Sequence, residues 1–278
     1  MTSSQEPTKI EDSAYFRRVK SIEMSEDVRT SYFVSTAHAG GAWQDDELHM
    51  APVSGLVAAE LEAYQPREDF ITTRISFDIL GKLHAGEVKV VTETVRPGRT
   101  IELIQSTVYA QGRAVLVGRT WKVIASDTSQ IAKLNDPTLP PVDQAEPWDE
   151  MSKRWPGGFI KSIEARKFAD HTPGHGRVWI TTDIDVIEGE TPSPFVKLIG
   201  LTDTANGVAP IAEPSTDNVF FANVDLTIHF LREPVGAWLG FATSANIGAT
   251  GGGITSAILY DADGILGRCE QSQTVRLA

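Results

Sequence analysis

One cysteine, Cys269, is all that 278 residues provide. That excludes an internal disulfide framework and makes a reducing compartment, the cytoplasm, the expected location. Long apolar runs are missing too: no stretch reaches the roughly 18 residues of a membrane-spanning helix. The start, MTSSQEPTKIEDS, has no basic stretch leading into an apolar core, so no secretory signal is expected. Positive charge is scarce. Lys and Arg number 25 against 37 Asp and Glu, for a net charge of −12. Nucleic acid is therefore not an expected partner, because such proteins usually carry a basic footprint. Metal-ligand spacing is also absent. HTPGH at 171–175 sets two histidines four apart, but Pro173 and Gly174 prevent the helix that would align them. GATGGG at 248–253 leads into ITSAILY, which reads as a strand, whereas a phosphate loop leads into a helix. Neither a metal nor a cofactor is expected.

What the chain does have is repetition. The stretch VDLTIHFLR at 224–232 alternates, with Val224, Leu226, Ile228 and Phe230 on one parity and Asp225, Thr227 and His229 on the other. RISFDILGKLHAGEVKVVTETV begins at Arg74, and the similarly organised DLTIHFLREPVGAWLGFATSAN begins 151 positions later at Asp225. Tyr109 and Tyr260 repeat that offset of 151, while Gly118-Arg119 and Gly267-Arg268 stand 149 apart. The sequence suggests a duplication with a two-residue slip in one hairpin loop.

Each half shows the same order of elements. SYFVSTAHA and RVWITTDIDVI read as early strands. PVSGLVAAELEAY follows as a helix entered at Pro52, and SPFVKLIGLTDTAN as a helix closed by Gly207. Antiparallel strands with turns at RPG, AQG and DADG complete each half. NDPTLPPVDQAEPWDE between them has the composition of a linker. The expected organisation is a polar extension over 1–29, a first unit over 30–126, a linker over 127–154 and a second unit over 155–278. A helix followed by an antiparallel meander, twice over, predicts an α+β fold; if the two halves pair edge to edge, each shields an edge strand of the other.

The order DLTIHFLREPVGAWLG, then GGGITSAILYDADGILGRCEQSQTVR, resembles the second half of the acyl-CoA thioesterase II (TesB-like) family. HMAPVSGLVAAELEAYQPREDFITTRISFDILGKLHAGEVKVVTETVRPGRTIEL resembles the helix and following strands of its first half. The resemblance implies a double hotdog: two helix-wrapping antiparallel sheets in one chain. It also implies hydrolysis of acyl-CoA or a related acyl thioester without a cofactor, and a homo-oligomer. On this resemblance the family's aspartate falls on Asp225 and its glutamine on Gln271. Its hydroxyl position falls at or next to Ala245-Asn246, with Thr243 and Ser244 just before. The family's glycine pair ahead of the first helix is replaced by Met50 and Ala51.

The chemistry follows from these groups. A carboxylate can take a proton from water as general base, which assigns that role to Asp225. A carboxamide both donates and accepts, so Gln271 can hold the water, with Asn246 beside it. Backbone N–H groups at the first helix's N-terminus, around His49, Met50 and Ala51, would meet the oxyanion. His229 and Ser244 are further candidates for contact with substrate. Two alternatives stay open: a silent double hotdog that binds an acyl thioester or another apolar ligand, and a dehydratase, isomerase or cyclase on the same scaffold.

Overall fold

The computed structural model describes residues 13–277 apart from 21, 26, 43 and 45 and apart from the side chain of Ser215. The polar start at 1–12 lies outside the described residues. The first half opens with β1 (Ala14–Arg18), β2 (Glu23–Ser25) and β3 (Val28–Ser35). Helix α1 (Met50–Ala63) follows, then β4 (Phe70–Ile79), β5 (Glu87–Arg96), β6 (Ile101–Ala110) and β7 (Arg113–Ile124). The proline-rich stretch carries β8 (Glu146–Pro147); α2 (Glu150–Arg154) begins at its end and α3 (Gly158–Lys161) follows. The second half has β9 (Ile163–Lys167), β10 (His175–Thr182), β11 (Asp185–Ile187) and α4 (Pro194–Thr202). The short helices α5 (Ala205–Val208) and α6 (Pro214–Asp217) come next. The chain ends with β12 (Val219–Asn223), β13 (Asp225–Phe230), β14 (Leu239–Ile247), β15 (Gly252–Asp261) and β16 (Gly264–Leu277).

The strand order makes the duplication visible. The first half runs β3-β5-β6-β7-β4 and the second, in reverse across the sheet, β13-β16-β15-β14-β10. Antiparallel pairing of β4 with β13 joins the halves edge to edge, so each shields an edge of the other. At the far edge β1 pairs with β3 and runs parallel to β11 of the second half. The strand register corrects the slip read from sequence. Phe77 pairs with Gly118, and Ile228 pairs with Cys269, each pair 151 positions from its counterpart. The hairpin ends also match, Tyr109 with Ala114 and Tyr260 with Ile265. The offset is therefore 151 through all four strands of the meander, and the Gly-Arg dipeptides at 118 and 267 are not structural equivalents.

The continuous sheet wraps α1 and α4, which pack on each other. Nearly all of α1 is buried, from Met50 to Leu61. A helix apolar on every side belongs in a core rather than on a surface. Close approach requires small residues: a Cβ on Gly55 would stand 3.0 Å from Gly200 Cα and 3.3 Å from Val186 Cγ2. Ser54 Oγ donates to Ile199 O at 3.0 Å across the same crossing. The first turns of α1 thus lie against the end of α4, which brings the N-terminus of one helix to the C-terminus of the other. No helix among the described residues is long and apolar enough to cross a membrane.

Candidate active site

The sequence predicts that the second helix continues to Gly207. Instead α4 stops at Thr202, with Asp203 at its end and α5 starting at Ala205. Two hydroxyls help to turn the chain. Thr202 Oγ1 donates to Leu198 O at 2.9 Å, and Thr204 Oγ1 donates to Leu201 O at 2.7 Å. The turn leaves Asp203, 3% exposed, facing the N-terminus of α1.

Two carboxamides from neighbouring strands hold Asp203. Asn223 at the end of β12 donates through Nδ2 to Asp203 Oδ1 at 2.8 Å. Gln271 on β16 donates through Nε2 to the same oxygen at 3.0 Å and reaches the Asp203 carbonyl at 3.4 Å. Burial pushes the Asp203 carboxyl up to about 7, with the two amide donors opposing part of that rise. Gln271 Oε1 is buried and accepts no hydrogen bond among the described residues. An acceptor beside a carboxylate is what a polarised water needs.

His49 caps α1. Its Nδ1 accepts from the Ala51 N–H at 3.1 Å, so Nε2 carries the ring proton. Burial drives the imidazole down to about 3, which makes it neutral at any ordinary pH. His49 Nδ1 also lies 3.5 Å from Asp203 Oδ2. That approach is not an ion pair, because the ring is uncharged and its Nδ1 lone pair is already engaged. The ring rests on Phe159 with centroids 4.5 Å apart. With Ala51 bonded to His49 and Pro52 lacking an N–H, Met50 is left to offer its backbone N–H at this helix end.

A cavity of about 240 Å³ opens here. His49, Met50, Asp203 and Asn223 line its polar end, and Trp155, Ile160 and Phe221 are among its apolar walls. Its composition, mostly apolar with a few convergent polar groups, suits a small organic ligand.

The expected site residues divide. Gln271, His49 and Met50 come together around Asp203, with Ala51 buried directly beneath. Asp225 does not join them. Its Oδ1 accepts from the Ser272 N–H at 2.6 Å, and its Oδ2 lies 3.4 Å from Ser272 Oγ. Leu226, Ile228 and Phe230 face the core, so alternation directs Asp225 to the other side of the strand from the buried Gln271. Only the Asp225 carbonyl touches the network, accepting from Asn223 Nδ2 at 3.2 Å. His229 is exposed on that outer side, cross-strand from Arg74 and Arg268. Asn246 is exposed opposite Ile254, and Ser244 pairs with Ser256 on β15 and His175 on β10. None of the three lines the cavity. Cys269 is fully buried and its thiol is pushed up by that burial, so it offers no nucleophile.

Asp203 and Asn223 were missed by the sequence reading. For Asp203 a signal exists: one carboxylate flanked by threonines interrupts the apolar helix PFVKLIGLTDTANGV. Asn223 carries none, because its position depends on the strand break at Val224.

A two-fold repeat of helix-wrapping strands, with an acid held at the helix junction beside an apolar cavity, defines a double hotdog protein. The chain belongs to the acyl-CoA thioesterase family. Residues 40–123 match the model of the acyl-CoA thioesterase N-terminal domain, and residues 136–275 that of the C-terminal domain. Solved structures share the fold at low identity. A Thermobifida fusca protein assigned as a thioesterase II is 17% identical, with a TM-score of 0.70 over 95% of this chain and 96% of that one. A hot dog fold protein from Alicyclobacillus acidocaldarius gives 14% and 0.70 over 93% and 96%. The acyl-CoA thioesterase II TesB2 of Mycobacterium marinum gives 14% and 0.64 over 93% and 96%. No curated protein matches by sequence.

Proposed function

We propose that the chain hydrolyses an acyl thioester in this cavity by general-base attack of water, with Asp203 as the base. The observation that carries the proposal is the buried carboxyl itself. Both amide donors occupy Oδ1, which leaves Oδ2 toward the end of α1 and the cavity. A base with a pKa near the working pH is suited to proton transfer in the transition state.

The remaining groups have separable tasks. Asn223 and Gln271 fix the carboxylate's orientation and favour its ionised form. Gln271 Oε1, buried and without a partner among the described residues, is assigned to accept the water's second hydrogen. Water attacks the carbonyl carbon as Oδ2 takes its proton, and the carbonyl oxygen gains charge. The Met50 N–H and the positive end of the α1 dipole meet that charge. His49 Nε2–H is a second neutral donor at the same end of the cavity. The tetrahedral intermediate collapses, the C–S bond breaks, and the thiolate leaves with a proton.

Thiol release from a panel of acyl thioesters tests this reading. Release above the uncatalysed rate for at least one ester supports it. Saturable binding with no release would make the cavity a ligand site and nothing more.

The same geometry separates the two aspartates. Asp225→Asn keeps an oxygen that can accept from the Ser272 N–H and alters nothing in the cavity. Its kcat/KM is expected to stay within about twofold of the parent protein, measured by thiol release.

A further inference from the structure

The duplication creates a second pocket where the chemistry has changed. Counting 151 positions back maps Phe221, Asn223 and Gln271 onto Phe70, Thr72 and Thr120. These three line a separate cavity of about 230 Å³, close in volume to the first. The register confirms the mapping: Thr72 pairs with Lys122 just as Asn223 pairs with Gln273. The helices exchange parts. Here the N-terminus of α4 meets the end of α1, and Ser193 Oγ donates to Glu62 Oε1 at 2.8 Å.

Neither carboxamide survives in this pocket. Threonines replace both, and a lysine takes the wall. The Lys122 ammonium makes no direct hydrogen bond or ion pair among the described residues; Glu102, Glu62 and Glu233 act on it from beyond contact. Burial holds its ammonium below the usual lysine range, despite those three carboxylates. The other cation, Arg67, is already spent on Gly98 O, Glu102 and the face of Phe70. The floor is apolar and buried, made by Leu61, Phe70 and Phe195. At the head of α4, Val196 N–H is capped by Ser193 and Pro194 has none, so Phe195 offers the backbone N–H.

We propose that Lys122 is an acyl-acceptor site: its amine attacks the carbonyl carbon of an acyl thioester bound in the second pocket and becomes Nε-acylated. The acyl-thioester class rests on the reading of the first pocket. The ammonium first gives one proton to solvent. The nitrogen lone pair then forms the C–N bond, the carbonyl oxygen takes the displaced π electrons, and collapse breaks the C–S bond. The sulfur leaves with its electron pair and takes the proton the nitrogen loses. An amide and a free thiol result, with no oxidant or cofactor consumed. The exposed rim carries Glu62, Glu68 and Glu233, so a donor with an uncharged thiol arm is favoured over a polyanionic one.

The test incubates the full chain with a butyryl thioester of N-acetylcysteamine, and in parallel with butyryl-CoA. Acylation of each lysine is followed by peptide mass spectrometry. Lys122 is expected to acylate about tenfold or more faster than the exposed Lys153, and faster with the neutral donor. Lys122→Arg should remove that signal. Asp203→Asn, which strikes the first pocket alone, should leave Lys122 acylation unchanged while hydrolysis falls. Acylation of Lys122 no faster than that of Lys153, with either donor, overturns the proposal. Fast acylation in a chain that never hydrolyses would sink the reading of the first pocket and keep this one.

Discussion

Asp203→Asn is expected to lower kcat/KM for thioester hydrolysis by about 10²–10⁴-fold, the usual contribution of a general base. Asparagine has the same shape and can still accept at Oδ1 from Asn223 and Gln271. What it loses is the capacity to take a proton from water. KM should change little, since the substrate's carbonyl and chain would be held by α1 and the apolar walls rather than by the acid. The fold should persist, because the change removes a titratable group that burial already disfavours as an anion. A near-normal Tm beside a collapsed rate is the combination that separates chemistry from damage. Loss of both together would show instead that Asp203 holds the helix junction in place.

The largest effect on stability belongs to a different acid. Glu60 lies inside α1 at 1% exposure, far from water. Its Oε1 accepts from Arg18 at 3.1 Å, while its Oε2 accepts from Arg29 at 2.8 Å and Ser31 at 2.6 Å. The carboxylate therefore ties the buried helix to both β1 and β3. Arg18 also pairs with Glu190 of the second half at 2.8 Å. Glu60→Ala would leave two guanidinium groups and a hydroxyl without their common acceptor. Breaking such a buried cluster from one side costs about 3–5 kcal/mol. Denaturant unfolding of the two proteins measures it directly. A difference below about 1 kcal/mol would mean that water replaces the carboxylate at no cost.

Much of the fold is legible in the order of residues because strand alternation and helix spacing are local signals. The two meanders and the first helix follow from them, although the helix expected to enter at Pro52 begins at Met50. The slip of two residues was an artefact of matching Gly-Arg dipeptides. Register is set by which face is buried, and Phe77 opposite Gly118 does that more strongly than a dipeptide can. The site was only half legible for a related reason. As one uninterrupted strand, VDLTIHFLR would place Val224 on the apolar face and give Asp225 prominence. The strand breaks at Val224, which is 48% exposed, and its counterpart in the first half is an irregularity between Thr72 and Arg74. That break turns Asn223 inward and leaves Asp225 facing out. Alternation of polarity marked Asp225 as polar and outside, and that much was right. A buried carboxyl is instead found where an acid sits in an apolar segment against its solvation preference, as Asp203 does at the end of α4.

The pH dependence of kcat/KM tests the buried-base account most directly, because that parameter reports ionisations of the free protein. His49 is neutral throughout the accessible range, so a single group should govern the acid limb. The rate should rise with pH as the Asp203 carboxyl ionises and level off above a midpoint near 7. A profile flat from pH 5 upward, or one whose midpoint lies in the ordinary carboxylate range near 4, would contradict it.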